Sequence, residues 1–166
     1  MLEVEVKLRL HDPDALRARL TDWSPKGVVR QRDVYFQHPG RDFVQTDEAL
    51  RVRTVDGAHK VTYKGPRRKA AVKVREEVEH AIEGDPTRLL EALGFRGAGV
   101  VEKRRETWHR DGVELAIDDV VGLGMFVEVE AQSDDAEAAS DLVESALRDL
   151  GLESEPRIEG SYLSLQ

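Results

Sequence analysis

A chain of 166 residues, 40% hydrophobic and 35% charged, is long enough for one domain with a sizeable core. Its formal net charge of −8 argues against general binding to nucleic acid or an anionic membrane, so an anionic ligand would need a local basic site. There is no cysteine, which excludes disulfides and thiolate chemistry, and no apolar run approaches membrane-spanning length. No secretory leader precedes the first patterned segment, and a cytoplasmic location is the expectation.

The chain opens with "EVEVKLRL", whose period-two alternation predicts a strand with Val4, Val6, Leu8 and Leu10 on one face. Glu3, Glu5, Lys7 and Arg9 line the other face. Similar alternation predicts strands at about 2–10, 28–37, 49–55, 59–64, 71–82, 100–109, 113–120 and 126–132. Three helices interrupt them. In "HDPDALRARLTDW", Asp12 can cap, Pro13 suits the first helical position, and Leu16, Leu20 and Trp23 share a face. "GDPTRLLEALG" repeats the device, with Asp85 as cap, Leu89, Leu90 and Leu93 packing, and Gly94 as stop. In "DDAEAASDLVESALRDLG", Leu142, Val143, Ala146, Leu147 and Leu150 point inward. Connections are short, and residues 1–166 read as a single domain.

Three strands echo one another: "EVEVKLRL", "REEVEHAI" and "FVEVEAQ" each carry Glu-x-Glu and each leads into a helix. Eight antiparallel strands with one charged and one apolar face must hide the apolar faces. The expected architecture is α+β: an eight-stranded antiparallel barrel with the charged face turned inward and three helices packed outside.

The apolar positions set the phase of each strand. Outward Leu50 and Val52 turn Arg51 and Arg53 inward; outward Val61 and Tyr63 leave Lys64 inward. Outward Val72, Val74 and Val78 turn Lys73, Arg75, Glu77 and Glu79 inward. "VVEKRRETW" is ambiguous by pattern; Trp108 outward would place Lys103 and Arg105 inward. Outward Val34 and Phe36 place Gln31, Asp33 and Tyr35 inward. Asp118, Glu128 and Glu130 follow from their neighbours. The lumen then holds eight cations (Lys7, Arg51, Arg53, Lys64, Lys73, Arg75, Lys103, Arg105) and eight acids (Glu3, Glu5, Asp33, Glu77, Glu79, Asp118, Glu128, Glu130). A dry interior could not hold them, because each buried ion costs several kcal/mol even when paired. A hydrated tunnel could. Carboxylate clusters suit a hard divalent cation and a ring of Arg and Lys suits a polyphosphate, which together point to a metal–triphosphate site. A lumen of mutually satisfying salt bridges is the competing reading.

"EVEVK" resembles the Glu-x-Glu-x-Lys signature of the CYTH superfamily, the triphosphate tunnel metalloenzymes. It is joined in order by "QRDVYF", "TDEALRVR", "TYKGP", "VREEVE", "EKRRETW", "IDDVVGLGMFVEVE" and "GSYLSL", which cover nearly the whole chain. "TYKGP", "DDVVGLGMFVEVE" and the terminal "SYL" are most similar to the class IV adenylyl cyclase branch. The resemblance implies Mg²⁺ or Mn²⁺ on Glu3, Glu5 and Glu128, and a triphosphate on Lys7, Arg51, Arg53, Lys64, Arg75, Lys103 and Arg105. It implies a catalytic role for Asp118, with Lys7 beside Tyr35 as the candidate pair for deprotonating water in a hydrolase. Glu77, Glu79 and Glu130 are supporting lumen acids.

The reaction the resemblance implies is conversion of ATP to cyclic AMP and pyrophosphate. The alternatives are an inorganic tripolyphosphatase, a thiamine or nucleoside triphosphatase, or a non-catalytic polyphosphate- or nucleotide-binding module. A homodimer is implied by family similarity alone; neither nucleic acid nor membrane is an expected partner. Other patterns carry less. "GLG" at 122–124 reads as a turn, and the five histidines share no ligand spacing. "PRRKAAVK" reads as a solvated loop, and Ser161-Tyr162 either closes a tunnel mouth or anchors the tail.

Overall fold

Period-two patterning produces strands wherever it was read, and they close on themselves. The computed structural model describes residues 2–68 and 73–166. Among these, the strands are β1 (Leu2–Arg9), β2 (Ser24–Gln37), β3 (Ala49–Val55), β4 (Ala58–Lys64), β5 (Lys73–Ile82), β6 (Arg96–Arg110), β7 (Val113–Val120) and β8 (Gly124–Ser133). The helices are α1 (Pro13–Ala18), α2 (Thr87–Ala92), α3 (Ala136–Asp149) and α4 (Tyr162–Leu165). The strands form one closed antiparallel barrel in the order β1-β5-β4-β3-β2-β6-β7-β8. Residues 71 and 72, including the outward position assigned to Val72, lie outside the described residues, as does the side chain of Lys73.

The three Glu-x-Glu strands turn out to be neighbours. β1 pairs with β5 on one side and β8 on the other, so the repeated acids are gathered on one wall. Two hairpins use Asp-Gly with both residues at positive φ: Asp56-Gly57 between β3 and β4, and Asp111-Gly112 between β6 and β7. That conformation matches the strand twist in two-residue loops.

β2 and β6 are longer than the alternation suggested. Their pairing runs from Ser24↔His109 to Gln37↔Arg96, with register shifts between Pro25 and Gly27 and between Tyr35 and Phe36. Each shift breaks the period-two pattern while the ladder continues.

The barrel is inverted relative to an apolar-filled one. Val4, Val6, Leu8, Leu115, Ile117, Val127 and Val129 point outward and are buried against Leu16, Leu20, Trp23, Ala139, Val143, Ala146, Leu147 and Leu150. Asp12 caps α1 through Ala15 N–H, as its position predicts. Asp135 caps α3 by accepting from Glu137 and Ala138 N–H. A second cluster packs Phe36, Phe43, Leu50 and Val52 with Leu90 and Phe95.

Several expectations are corrected. The cap position of α2 is Pro86 rather than Asp85, although Asp85 still accepts from Thr87 N–H at 2.9 Å. Only Leu90 of its leucines packs; Leu89 and Leu93 are 62% and 61% exposed, because a helix this short turns one narrow face to the barrel. Leu142 of α3 is 42% exposed, at the edge of its apolar stripe. A fourth helix, the single turn α4, follows Ser161, whose hydroxyl accepts from Ser164 N–H.

Burial sets the expected energetics. Leu115→Ala, in the fully buried layer beneath α3, should lower unfolding free energy by about 2–5 kcal/mol. Leu89→Ala should change it by less than about 0.5 kcal/mol. Urea unfolding of the two variants measures the difference, and equal losses would contradict the assigned core.

Candidate active site

The inward face encloses a cavity of about 1140 Å³. Lys7, Arg51, Arg53, Lys64, Arg75, Lys103 and Arg105 all line it, as do Tyr35, Glu3, Glu5, Glu77, Glu79, Glu128 and Glu130. Two predicted lumen acids, Asp33 and Asp118, sit behind the cations instead, buried in the wall.

Each of these wall acids orients basic side chains. Arg53 donates from Nε and Nη2 to the two oxygens of Asp33, both at 2.7 Å, and Arg51 Nη1 lies 3.6 Å from Asp33 Oδ2. Burial alone would raise the Asp33 pKa, but the Arg53 hydrogen bonds and the charges of Arg51 and Arg53 bring it down to about 2. Arg105 donates to Asp118 in the same two-pronged way, at 2.7 and 2.6 Å, and its Nη2 also reaches Glu128. Lys103 Nζ is 3.3 Å from Asp118 Oδ2. Such forks fix the plane of a guanidinium and leave its other edge for a ligand.

The basic side chains keep unmet capacity. The Nε atoms of Arg51 and Arg75 are buried and have no hydrogen-bond partner among the described residues. Arg75 reaches Asp47, at 3.5 Å to its carbonyl and 3.7 Å to its carboxylate. Buried N–H groups without acceptors suit an incoming anion.

The two lysines at the tail end of the tunnel differ electrically. Burial opposes the charge on Lys7, but Glu128 at 3.1 Å and Glu5 at 3.7 Å outweigh it and raise the pKa. Lys103 goes the other way: burial, then the neighbouring Arg105 charge, pull it down to about 7. Asp118 is held more tightly by Arg105 and only partly compensates.

The acidic wall is the β5–β1–β8 face. Glu3, Glu5 and Glu130 each present an oxygen within 4.8 Å of the others. Burial, then the Glu3 charge, push Glu130 well above the usual carboxylate range, and burial also raises Glu3. Lys64 offsets part of this, 2.7 Å from Glu3 and 2.9 Å from Glu77. Three crowded carboxylates that cannot all ionise comfortably are a donor set suited to a hard divalent cation.

The resemblance set Glu128 beside Glu3 and Glu5. The strand register does otherwise: Glu5 stands opposite Glu130, and Lys7 opposite Glu128. Glu128 therefore meets Lys7 and Arg105. Glu79 lies away from the acid trio, bonded to Lys60 and Thr62. Arg9 is outside the tunnel, donating to Leu123 O.

The contribution of Asp47 is not read from the sequence, and Tyr162 is read there as closing a tunnel mouth or anchoring the tail, without its contacts. Asp47, in the loop before β3, pairs with Arg67 at 2.7 Å, and Arg67 also holds Glu159 O. Tyr162 reaches into the site from the tail and donates to Asp118 at 2.8 Å. The "GSYLSL" segment was the available signal, but alternation does not apply to an isolated turn.

The CYTH domain matches residues 1–162. A Methanocaldococcus jannaschii protein named as a candidate adenylate cyclase is 36% identical over 173 residues, covering 100% of this chain and 99% of that one. Adenylate cyclase CyaB of Aeromonas hydrophila is 29% identical, covering 98% of this chain and 87% of its own. A solved structure from Pyrococcus horikoshii, the protein PH1819, superposes with a TM-score of 0.85 at 34% identity, covering 98% of this chain and 97% of that one. A Hippeastrum protein, described as a candidate adenylyl cyclase with a dominant triphosphatase activity, shares the fold at 21% identity and TM-score 0.67, covering 98% of this chain and 94% of that one. With the domain match spanning the tunnel strands and the tail tyrosine, the chain belongs to the CYTH family.

Proposed function

We propose that this protein is a metal-dependent enzyme acting on a triphosphate held inside the barrel, and that it converts ATP to cyclic AMP and pyrophosphate. The observation that carries the triphosphate reading is the meeting in one cavity of buried, unmet arginine N–H donors and a trio of crowded carboxylates. The cyclase reading draws its support from the names of the Methanocaldococcus and Aeromonas relatives.

In that reaction the ribose 3′-oxygen bonds to the α-phosphorus, the bond from the α-phosphorus to the bridging oxygen of the β-phosphate breaks, and the hydroxyl proton is lost to solvent. Negative charge grows on the departing pyrophosphate. Arg51, Arg53, Lys64, Arg75 and Arg105 grip it, already oriented by Asp33, Glu3, Asp47 and Asp118. Lys7, kept charged by Glu128 and Glu5, stabilises phosphate oxygens as a cation rather than taking a proton. Asp118 acts as a positioning residue, since its oxygens are committed to Arg105 and Tyr162. Mg²⁺ or Mn²⁺ on Glu3, Glu5 and Glu130 would neutralise phosphate oxygens and help set the substrate's geometry. A cytoplasmic location fits the ATP substrate.

A second reading keeps the same walls and hydrolyses a terminal phosphate, as reported for the Hippeastrum protein. Products separate the two. Purified protein given ATP, GTP, tripolyphosphate and thiamine triphosphate with Mg²⁺ or Mn²⁺ should yield cyclic AMP and equimolar pyrophosphate from ATP. ADP and orthophosphate, or preferential cleavage of tripolyphosphate, would establish the hydrolase.

The acid trio predicts a division among glutamates. Glu5→Gln and Glu130→Gln should raise the Mn²⁺ concentration needed for half-maximal turnover by about tenfold or more. Glu128→Gln, which frees Lys7 and Arg105, should lower turnover with a smaller change in metal requirement. Metal titrations of all three test the grouping, and a Glu130→Gln titration matching the native one would contradict it.

Lys103 predicts a pH dependence. Its depressed pKa leaves it mostly neutral above pH of about 7, whereas a bound polyphosphate favours the ammonium form. Binding should therefore take up a proton at pH 8 and little at pH 6, and affinity should fall as pH rises through the window above 7. Calorimetry of tripolyphosphate binding in buffers of different ionisation enthalpy measures the uptake, which Lys103→Arg should abolish.

A further inference from the structure

The C-terminal tail enters the tunnel wall chiefly through one side chain. Tyr162 opens α4 and is 4% exposed. Its ring centroid lies 4.2 Å from Lys7 Nζ and 4.7 Å from Lys103 Nζ. Its hydroxyl donates to Asp118 Oδ2 at 2.8 Å, the oxygen that also accepts from Arg105 Nη2 at 2.6 Å. Phe126 meets the ring edge-on at 5.0 Å. Just before it in the chain, Gly160 O accepts from Lys7 at 3.2 Å.

One phenol thus touches two cavity-lining lysines and the carboxylate that orients a cavity-lining arginine. We infer that Tyr162 is a positioning residue for the triphosphate, its ring holding the Lys7 and Lys103 ammonium groups and its hydroxyl holding the Asp118–Arg105 fork. The inference rests on the tunnel's taking a triphosphate, as proposed above.

The chemistry favours a tyrosine at this point. Lys7 and Lys103 line the same cavity and repel one another. A further carboxylate would hold them, but it would also neutralise them and compete with phosphate for their N–H donors. An aromatic face attracts a cation through its quadrupole without consuming a hydrogen bond. The ammonium groups are located yet remain available to the cavity. The hydroxyl does a separate job. By donating to Asp118 Oδ2 it takes up acceptor capacity that Lys103, at 3.3 Å from the same oxygen, would otherwise draw on. Asp118 then stays with Arg105, and Lys103 is left poised rather than locked to the wall.

A tyrosine that merely anchored the tail would be replaced by phenylalanine without consequence for the lysines. The test uses tripolyphosphate as probe, with calorimetric affinity measured from pH 6 to 9 for the native chain, Tyr162→Phe and Tyr162→Leu, alongside thermal unfolding. Tyr162→Leu removes ring and hydroxyl and should weaken binding about tenfold or more. Tyr162→Phe keeps the ring, so affinity at pH 6 should stay within about threefold of native. Its alkaline loss of affinity should move up by about half a pH unit, because Asp118 is released toward Lys103 and favours the ammonium form. The ligand's own titration is common to all three proteins and cancels in the comparison. If Tyr162→Leu fails to fold, the Tyr162→Phe profile decides alone. A Tyr162→Phe profile superimposed on the native one, or a folded Tyr162→Leu protein that binds as tightly as native, overturns the inference. Absence of binding by the native chain overturns the triphosphate reading itself, and this inference with it.

Discussion

More than a dozen charged side chains point to the inside of this barrel, and no dry core could hold them. Taking even a paired ion out of water costs several kcal/mol, so a sheet patterned this way has to close around a wet space. That constraint explains the rest of the architecture. The apolar faces of β1, β7 and β8 are left on the outside, and α1 and α3 exist to cover them. The core lies between barrel and helices, where Leu115, Val127, Val129, Val143 and Leu147 are completely buried. The tunnel is what remains when the hydrophobic effect is satisfied elsewhere.

Inside, the carboxylates concentrate on one wall, with Lys7, Lys64 and Arg75 set among them. β1 flanked by β5 and β8 brings the repeated Glu-x-Glu segments together, which crowds Glu3, Glu5 and Glu130. Asp33 and Asp118 lie behind their arginines and make two-pronged contacts that aim them. Salt bridging is extensive, as the competing reading of the sequence required. It is not complete: Arg51 and Arg75 retain buried Nε groups without acceptors among the described residues, and Lys103 is pushed toward neutrality. A lumen built only for mutual satisfaction would leave neither. Fixed, partly unsatisfied cations in one cavity with an over-crowded acid cluster give the preorganised electrostatics that phosphate chemistry requires.

What could be read from the sequence was whatever obeyed the period of two. Val4, Val6 and Leu8 fix the phase of β1 and so place Glu3, Glu5 and Lys7 inward, and the same logic finds Arg51, Arg53, Lys64, Lys103 and Arg105. Phase does not give depth. Asp33 and Asp118 share the inward phase with the cavity-lining cations but lie behind them, because their short side chains end at the wall. Phase does not give cross-strand register either, and register is what puts Glu130 rather than Glu128 opposite Glu5. Bulges in β2 and β6 hid the full length of both strands. Helix periodicity overstated packing where a helix is short, as at Leu89 and Leu93. Tyr162 belongs to no periodic element, and its importance emerges only when a tail 44 residues beyond Asp118 folds back onto it.

The central claim is that one cavity holds both a divalent cation and a triphosphate. Anomalous diffraction from crystals grown with Mn²⁺ and tripolyphosphate tests it most directly. The account predicts a manganese peak bonded to oxygens of Glu3, Glu5 and Glu130, with phosphate density reaching from it toward Arg51, Arg75 and Arg105. Manganese elsewhere, or phosphate density confined to the outer surface of the barrel, would contradict it.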